Sequence, residues 1–169
     1  MKTILKTAVI AAVILLAAGC SKENAARFKG DYTFKTSGTV TAVPQGSPEG
    51  TEPMVFDLIA ESGQMNLVKK GKSKNEMAVT MNILGGNAVY FENVQAEGKL
   101  LTIQEPYPVR NINVKNGSFP AKAEISISGT GEKFTDVVIF NLEYKGKITY
   151  RGDVYEITGS NVDCIAQEN

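Results

Sequence analysis

Two cysteines are the side chains in this sequence best suited to covalent chemistry. One of them, Cys164, lies near the C-terminus between the apolar residues Val162 and Ile165. Because the chain contains no histidine, it cannot form a Ser-His or Cys-His nucleophile pair or a histidine-ligated zinc or haem site. A thiol in apolar surroundings without an activating imidazole is typical of a packing residue. We therefore expect Cys164 to be buried and inert, with pairing between chains as the alternative.

The remaining motifs do not single out a catalytic or metal site. Gly71-Lys72-Ser73 resembles the end of a phosphate-binding loop, but position 66, where that loop requires glycine, is Asn66. Residues 69–74 are therefore interpreted as a solvated basic turn. The acidic residues show no EF-hand spacing, and no pair of them stands out for glycoside cleavage. We expect a protein that is not an enzyme and that uses no cofactor and no metal.

The other cysteine, Cys20, ends an N-terminal targeting pattern. Lys2 and Lys6 make the start positive, residues 8–18 are uninterrupted apolar, and small residues precede the cysteine. That apolar stretch is shorter than the roughly 20 residues that span a bilayer, and the combination is typical of a secretory signal. Residues 16–20, Leu-Ala-Ala-Gly-Cys, resemble the lipobox of bacterial lipoproteins, in which a peptidase cuts before a diacylated cysteine.

The lipobox resemblance implies how the chain is divided. Residues 1–19 are predicted to be the signal peptide, residues 20–26 a lipidated tether and residues 27–169 a single domain. Two or three lipid chains on Cys20 would hold the protein stably on a membrane. In the lipoproteins that this chain resembles, a serine such as Ser21 favours the outer membrane, so we expect it in the cell envelope, on either membrane face. The alternative is an ordinary signal peptide with an incidental cysteine.

The charge and length of the mature chain limit the kinds of partner to expect. Without residues 1–19 it has 150 residues, with 16 basic and 18 acidic side chains, because that segment contains two lysines. A chain of this length forms one domain with a sizeable core. A near-neutral balance gives no reason to expect nucleic acid as a partner. With Cys20 lipidated, only one thiol remains, so no internal disulfide can form.

Apolar and polar residues alternate along most of residues 27–169, which is typical of half-buried antiparallel strands. The alternation is clearest in residues 77–83 and 121–128. Further strands are predicted over residues 28–43, 54–61, 64–69, 88–95, 100–104 and 109–114, and over residues 135–144, which are apolar on both faces. For that last segment we expect burial on both sides or a covered edge.

Turn residues separate these strands and set the predicted fold class. Glycine-containing pairs recur between the alternating segments, and Gly152-Asp153 is expected to form the last hairpin turn. Short turns predict that strands adjacent in sequence pair in space, and no segment after residue 26 has the pattern of an amphipathic helix. The prediction is an all-β fold, an antiparallel up-and-down meander closed into a barrel of about 8–10 strands. A sandwich is the alternative, although closure removes exposed edges.

The first predicted strand carries a family resemblance. Its opening, Gly30-Asp31-Tyr32, is similar to the first-strand signature of lipocalins, with tyrosine in place of tryptophan. Together with the lipobox, the length and the meander pattern, it makes the chain resemble the calycin-like, lipocalin-like β-barrel lipoproteins of Gram-negative cells. The resemblance implies a closed barrel whose interior holds a ligand in some members and is filled in others.

Two hypotheses about function follow. A binding module would hold a small apolar or amphipathic ligand inside the barrel, since a barrel of about eight strands has room for one. The bulky residues predicted to line that interior are Phe56, Met77, Met81, Tyr90 and Phe140. An interaction protein would have a filled interior and would use its loops against another envelope protein or a surface glycan. Residues 44–53, the longest loop, and Tyr107, held exposed or tucked between two prolines, are the candidate contact regions.

Overall fold

The computed structural model of the protein describes residues 24–169, so Cys20 and the predicted signal peptide lie outside the described residues. These residues form ten antiparallel strands preceded by one 3₁₀ turn, and the predicted all-β class is confirmed. The elements are the 3₁₀ turn (Ala25–Arg27), β1 (Gly30–Pro44), β2 (Met54–Leu58), β3 (Ser62–Lys69), β4 (Glu76–Ile83), β5 (Val89–Glu97), β6 (Leu100–Ile103), β7 (Tyr107–Asn116), β8 (Phe119–Phe134), β9 (Val137–Tyr150) and β10 (Asp153–Glu168).

The sheet closes on itself because the first strand pairs with the last. β1 and β10 are in antiparallel register from Tyr32 opposite Glu168 to Pro44 opposite Tyr155. The strands β1, β3, β4, β5, β6, β8, β9 and β10 then follow one another around a ring of eight. This barrel-like closure leaves no open edge along the first and last strands.

Two long strands change partner halfway along their length. β1 pairs with β3 through residues 30–35 and with β2 through residues 39–42. β8 pairs with β7 through residues 119–127 and with β6 through residues 130–132. Because β2 also pairs with β7, a second ring of six strands forms, in which β2 and β7 take the place of β3, β4, β5 and β6. We call the eight-stranded part the wide end and the six-stranded part the narrow end.

This change of partner corrects one expectation about pairing. Most strands adjacent in sequence do pair, but β2 does not pair with β3, and β6 does not pair with β7. Instead, β2 and β3 follow each other along β1, and β6 and β7 follow each other along β8. The physical reason is that each of these long strands needs more partner residues than one short strand supplies.

Glycines occupy the points where the long strands change partner. Gly38 in β1 has a φ of +137°, and a Cβ there would lie 2.1 Å from the carbonyl oxygen of Asn161. Gly129 in β8 has a φ of +149°, and a Cβ there would lie 2.3 Å from the carbonyl oxygen of Asn141. Only glycine tolerates this conformation at this distance, and glycine kinks of this kind let a closed sheet bend.

The interior is occupied by side chains from every strand. Phe56, Met77, Met81 and Phe140 face it as predicted, and none of them is more than 6 % exposed. The prediction that Tyr90 faces the interior is wrong, because its side chain is 47 % exposed. Adjacent residues of a strand point to opposite faces, and the inward positions of β5 are taken by the residues on either side of Tyr90.

Different groups fill the two ends. At the narrow end the ring of Phe56 meets those of Tyr150 and Tyr155 edge to face, with centroids 5.4 and 5.8 Å apart. At the wide end the Tyr32 hydroxyl donates to the carbonyl of Phe28, 2.8 Å away, just after the 3₁₀ turn. These contacts close both ends of the barrel around one continuous core.

The N-terminal boundary of the packed domain differs from the expected residue 27. Ala25 is fully buried, and its backbone N–H donates to the carbonyl oxygen of Lys74, 2.9 Å away. The side-chain amide of Asn24 also donates to Asn75, at 3.2 Å. The packed part of the chain therefore includes Ala25, which lies within the predicted tether of residues 20–26.

β9 is buried on one face, not on both. Phe140, Leu142 and Tyr144 face the core, whereas Asn141 between them is exposed and Ile139 is only half-buried. The residues that looked apolar on both faces include a turn at residues 135–136, since Phe134 pairs with Val137. The strand therefore begins two residues later than expected and alternates normally.

The last hairpin turn is also one residue earlier than expected. Tyr150 pairs with Asp153, so the turn consists of Arg151 and Gly152 and not of Gly152 and Asp153. Their φ angles are +54° and +94°, which is the combination that a two-residue type I′ turn requires.

Candidate functional site

A cleft opens in the barrel wall where the β4–β5 hairpin stops short of the narrow end. We call it the hairpin cleft; its volume is about 590 Å³, within the range of roughly 300–1,000 Å³ typical of ligand sites. Its walls are the β2–β3 connection (residues 59–62), the tip of the β4–β5 hairpin (residues 83–88) and β7 (residue 107 and residues 109–113). Three segments distant in sequence therefore meet there.

An ion pair crosses the hairpin cleft between two of its walls. The guanidinium of Arg110 donates to both carboxylate oxygens of Glu61, with Nη1 3.0 Å from Oε2 and Nη2 2.6 Å from Oε1. The two side chains are only 15 % and 23 % exposed. A bidentate pair with this geometry fixes both side chains in place and pairs their opposite charges.

A β-bulge in β7 places Arg110 on the inner side of the wall. Tyr107 lies opposite Ile127 and Arg110 lies opposite Ile125, so three steps of β7 match two of β8. The extra residue lets both Tyr107 and Arg110 turn inward. The Tyr107 ring packs edge to face against Phe91 with the centroids 5.9 Å apart, so of the two alternatives for Tyr107 the structure has the tucked ring.

Hydrogen bonds to β1, close to the point where β1 changes partner from β3 to β2, hold Glu61 in place. The backbone N–H of Thr36 donates to the carbonyl of Glu61 at 2.8 Å, and the N–H of Glu61 donates to the hydroxyl of Thr36 at 2.9 Å. Thr36 is a fully buried polar residue of β1, and these bonds account for its hydroxyl. These hydrogen bonds therefore fix the β2–β3 connection to β1 at the level where the eight-stranded and six-stranded rings of strands separate.

The groups beneath the ion pair are neutral. Burial raises the pKa of the Cys164 thiol to about 12, and the negative charge of Glu61 acts in the same direction. Burial, and then Glu61, also raises the pKa of the Tyr144 phenol, against a smaller opposing effect of Arg110. Cys164 is a free, buried cysteine, so the predicted burial is confirmed, and its neutral thiol is a poor nucleophile.

The rim of the hairpin cleft is apolar and exposed. Leu84 at the hairpin tip is 85 % exposed, Val109 is 61 % exposed and Ile59 is 46 % exposed. Exposed aliphatic side chains that border one cleft are a feature of interaction sites. Three asparagines also line the cleft, Asn87, Asn111 and Asn113.

One wall of the cleft is a strand edge. β7 pairs with β8 on one side, but on the other side its only ladder partners within residues 24–169 are Asp57 and Leu58 of β2, which face residues 114–115. The N–H of Ile59 adds one bond to the carbonyl of Asn113 at 3.3 Å. Residues 107–112 of β7 therefore have no ladder partner on the side that faces the hairpin cleft.

The residues predicted to bind a ligand are not part of this cleft. Phe56, Met77, Met81 and Phe140 come together only as members of the core, and Tyr90 points away from it. The loop of residues 44–53 lies at the narrow end, where Gln45 donates to the carbonyl of Val154, and contributes no residue to the cleft lining.

One feature of the sequence indicates the cleft, although the sequence-based predictions did not use it. Arg110 lies two and four residues before Ile112 and Val114, two buried residues of the same strand, so alternation places its side chain on the same inward face. A charged residue at an inward position requires a partner, because an unpaired buried charge is costly. Its partner Glu61 lies 49 residues away in the chain, so only the folded structure identifies it.

The part of the chain that the structure describes has neither a metal-binding cluster nor a membrane-spanning helix. Residues 24–169 contain no group of three or more cysteine, aspartate or glutamate side chains able to hold a metal ion. The same residues contain no helix of the length and apolarity needed to cross a membrane.

Comparisons with known proteins add little to this description. No protein-family model matches the chain, and no curated protein matches it. Among solved structures, a redesigned beta barrel aligns with 89 % of this chain and 99 % of its own, with 11 % sequence identity and a TM-score of 0.42.

Proposed function

We propose that the protein is a non-enzymatic interaction protein of the bacterial cell envelope that binds an extended segment of a partner protein in the hairpin cleft. The observation that carries this proposal is the edge of β7, which lacks a ladder partner over residues 107–112 where it faces the cleft. An extended chain that lies along such an edge forms main-chain hydrogen bonds with it, as in β-strand addition.

The cleft walls favour a segment with alternating side chains. Successive residues of an extended chain point to opposite sides, so every second residue would face the same wall. The exposed side chains of Ile59, Leu84 and Val109 suit apolar residues of the segment. Because Glu61 already neutralises Arg110, the segment needs no charge of its own at the cleft floor.

The packed interior supports this function over a ligand held inside the barrel. A small apolar or amphipathic ligand there would have to displace side chains such as Phe56, Met77 and Phe140, which are at most 3 % exposed. The interior-binding hypothesis predicts instead that lipid-like molecules remain bound through purification.

The same proposal includes attachment to a membrane through lipid on Cys20 and kinship with lipocalin-like barrel lipoproteins. The lipobox-like residues 16–20 and the opening Gly30-Asp31-Tyr32 support it. We expect the mature protein to begin at Cys20 and to partition into detergent, and the Cys20→Ser variant to remain in the aqueous phase. Intact mass and phase partition measure both; equal partition of the two proteins would contradict the anchor.

Peptide selection tests the binding function. Random ten-residue peptides displayed on phage would be selected on the purified mature protein, and we expect enriched peptides with apolar residues at alternate positions. Methylation of alternate backbone amides in a selected peptide should weaken its binding at least tenfold, whereas methylation of the intervening amides should not. That pattern is specific to pairing with a strand edge, because only every second amide faces the edge.

Matched variants locate the binding site. Leu84→Asp and Val109→Asp place charges on the cleft rim and should abolish peptide binding, whereas Val55→Asp, at a residue that is 51 % exposed outside the cleft, should leave it unchanged. A selection without enriched peptides, or binding that is insensitive to both rim variants, would overturn the proposal. A retained lipid found by organic extraction would favour the barrel interior.

A further inference from the structure

We infer that two copies of the protein associate through the outer face of β1, β10, β9 and β8, and that both hairpin clefts stay open in this dimer. The inference goes beyond the proposed binding function. The proposed Cys20 anchor supports the choice of symmetry axis, whereas the apolar residues and the charges of the face are independent of it.

The outer face of these strands has an apolar centre. Ile165 in β10 is 49 % exposed, and Phe134 at the end of β8 is 46 % exposed. Ile139 and Val137 in β9 lie between them and are half-buried. Single exposed apolar residues are common on protein surfaces, but four that adjoin one another on three strands form a patch of the kind that marks an interaction site.

The strand register aligns one row of outward side chains across this patch. Lys35 lies opposite Ile165, which lies opposite Ile139. Ile139 in turn lies opposite Glu132. The row therefore runs from a cation in β1, through two isoleucines, to an anion in β8. Neighbouring strands are about 4.8 Å apart, so about 14 Å separates the two charged residues.

The two charged residues of this row have no partner in their own chain. Lys35 and Glu132 form no ion pair and no side-chain hydrogen bond within residues 24–169. Lys35 is exposed, and Glu132 is half-buried at the edge of the patch. Both charges are therefore free to pair with a second molecule.

A second copy of the chain presents these charges in the matching order. A two-fold axis that lies between the two faces and runs along the strands, between β9 and β10, sets Lys35 of each copy against Glu132 of the other. The same axis sets Ile165 against Ile139 of the second copy. An axis across the strands would instead set Lys35 against Lys35 and Glu132 against Glu132, and like charges that face each other are unfavourable.

The two adjacent rows fit the same axis. In the row towards the wide-end rim, all four opposed residues are uncharged: Thr33, Gln167, Val137 and Phe134. In the row towards the narrow end, the one charged residue, Asp163, would face Asn141 of the second copy. Neither row therefore brings like charges together.

The acidic residues beyond the rim row set the limit of the contact. Asp31 and Asp136 lie there, and each is hydrogen-bonded along its own wall, to the side-chain amides of Asn66 at 2.6 Å and Gln167 at 2.8 Å. The axis brings these carboxylates of the two copies towards each other. We therefore expect Asp136→Asn to strengthen the dimer.

The position of the tether agrees with the axis that the charges favour. An axis along the strands leaves the wide ends of both copies at the same end of the dimer. Asn24, four residues after Cys20, donates to Asn75 in the β3–β4 turn at the wide end. Both tethers would therefore leave the dimer on the same side and reach one membrane, whereas an axis across the strands would direct them to opposite sides.

The hairpin clefts stay open in this arrangement. In the ring of eight strands, three steps separate β10 from β4, and three steps separate β9 from β5. The β4–β5 hairpin therefore lies on the side of the ring opposite the proposed contact. A dimer of this kind would present two clefts that point away from each other.

The contact is small, which determines how it must be measured. Four strands and three rows cover about 20 by 20 Å, or on the order of 400 Å² per copy, compared with roughly 800 Å² per partner in a standard interface. We therefore expect a weak, reversible dimer in solution, with a dissociation constant in the micromolar range. Two anchors in one membrane would favour it by raising the local concentration.

Charge reversal tests the inference on the mature chain with Cys20→Ser, which removes the proposed lipid. Sedimentation equilibrium would be measured from micromolar to millimolar protein. Lys35→Glu and Glu132→Lys each turn both opposed pairs of the dimer into like charges, and should each raise the dissociation constant by about tenfold or more. The double variant Lys35→Glu, Glu132→Lys restores opposite charges and should restore dimerisation.

This rescue is specific to a contact between copies, because the two residues are about 14 Å apart within one chain. The matched control Lys122→Glu, which reverses an exposed cation elsewhere on β8, should leave the dimer unchanged. Equal thermal unfolding midpoints would show that the variants fold. A chain that stays monomeric up to millimolar concentration, or a dimer that neither charge reversal weakens, would overturn the inference.

Two apolar variants separate this inference from the proposed binding function. Ile165→Asp should abolish the dimer and leave the binding of selected peptides unchanged. Leu84→Asp, on the rim of the hairpin cleft, should abolish peptide binding and leave the dimer unchanged. Peptide binding by a chain that never dimerises would contradict only the dimer, and a dimer that binds no peptide would contradict only the binding function.

Discussion

The wide and narrow ends of the barrel share four long strands but are closed in different ways. The wide end has a polar closure, in which Lys133 donates to the Tyr32 hydroxyl at 2.8 Å and forms an ion pair with Glu168. The narrow end is closed by rings, because Phe56 packs against Tyr150 and Tyr155. A barrel can therefore lose two strands along its axis when large side chains fill the smaller section.

The hairpin cleft is a product of the same difference. Where the circumference falls from eight strands to six, the β4–β5 hairpin ends and the walls on either side approach each other without fully pairing. The pair of Glu61 and Arg110 spans that gap. The candidate site is therefore located where the fold changes from one ring to the other, and its polarity contrasts with the apolar core on both sides.

The largest expected effect on stability comes from removing an aromatic ring from the narrow end. Phe56→Ala removes a fully buried ring that two other rings contact, and should lower the free energy of unfolding by about 4 kcal/mol. Tyr90→Ala is the matched control, because that ring is 47 % exposed, and it should cost less than about 1 kcal/mol. Urea denaturation followed by circular dichroism measures both.

This comparison also separates the packed interior from a ligand pocket. A residue that lines a roomy pocket can be truncated at little cost, whereas a residue of a close-packed core cannot. If Phe56→Ala and Tyr90→Ala were equally stable, the narrow end would not be packed as the contacts of Phe56 indicate.

The next effect concerns the glycine kinks at the level where the two rings meet. Gly38→Ala places a Cβ 2.1 Å from the carbonyl oxygen of Asn161 at a φ of +137°, and should destabilise the protein by about 3 kcal/mol through strain and overpacking. Gly46→Ala changes a glycine with a φ of +81° and no neighbour within 4 Å, so only the backbone cost of about 1 kcal/mol applies. Equal losses would mean that the close approach at Gly38 does not constrain the fold.

The sequence predicts where the strands lie, but it does not predict which neighbours the long strands pair with. Alternation predicts β1 to β7 to within a few residues at each end, because the period of two is imposed by burial of one face. β8 and β9 each extend six residues beyond their predicted ends, and the sequence-based prediction gave no bounds for β10. The change of partner at Gly38 and Gly129 leaves no periodic signal, since a strand alternates in the same way whichever neighbour it has. The narrow and wide ends therefore become visible only in the folded chain.

The candidate site was harder to predict than the fold. The interior positions of Phe56, Met77, Met81 and Phe140 follow from alternation, but whether a barrel is filled depends on its cross-section, which alternation does not determine. The pairing of Arg110 with Glu61 also depends on a bulge and on a contact between distant segments.

The smallest expected effect uses pH to probe the dry region beneath the ion pair, where Cys164 lies opposite Thr36 and Phe140. Burial raises its pKa from an ordinary value of 9.0 to about 12, so the folded protein retains a proton that the unfolded chain releases above pH 9. The stability contributed by the neutral thiol is therefore fully present below pH 9 and is lost as the pH rises from 9 to 12. We expect a loss of about 1.4 kcal/mol at pH 10 for this one group.

Cys164→Ala should lack this part of the decline, while the raised pKa of Tyr144 contributes a decline above pH 10 to both proteins. Urea denaturation of both proteins at pH 8, 9 and 10 gives the difference in slope, which does not depend on any offset in stability from the lost sulfur. Parallel curves for the two proteins would show that water reaches the thiol and that the region beneath the hairpin cleft is not dry.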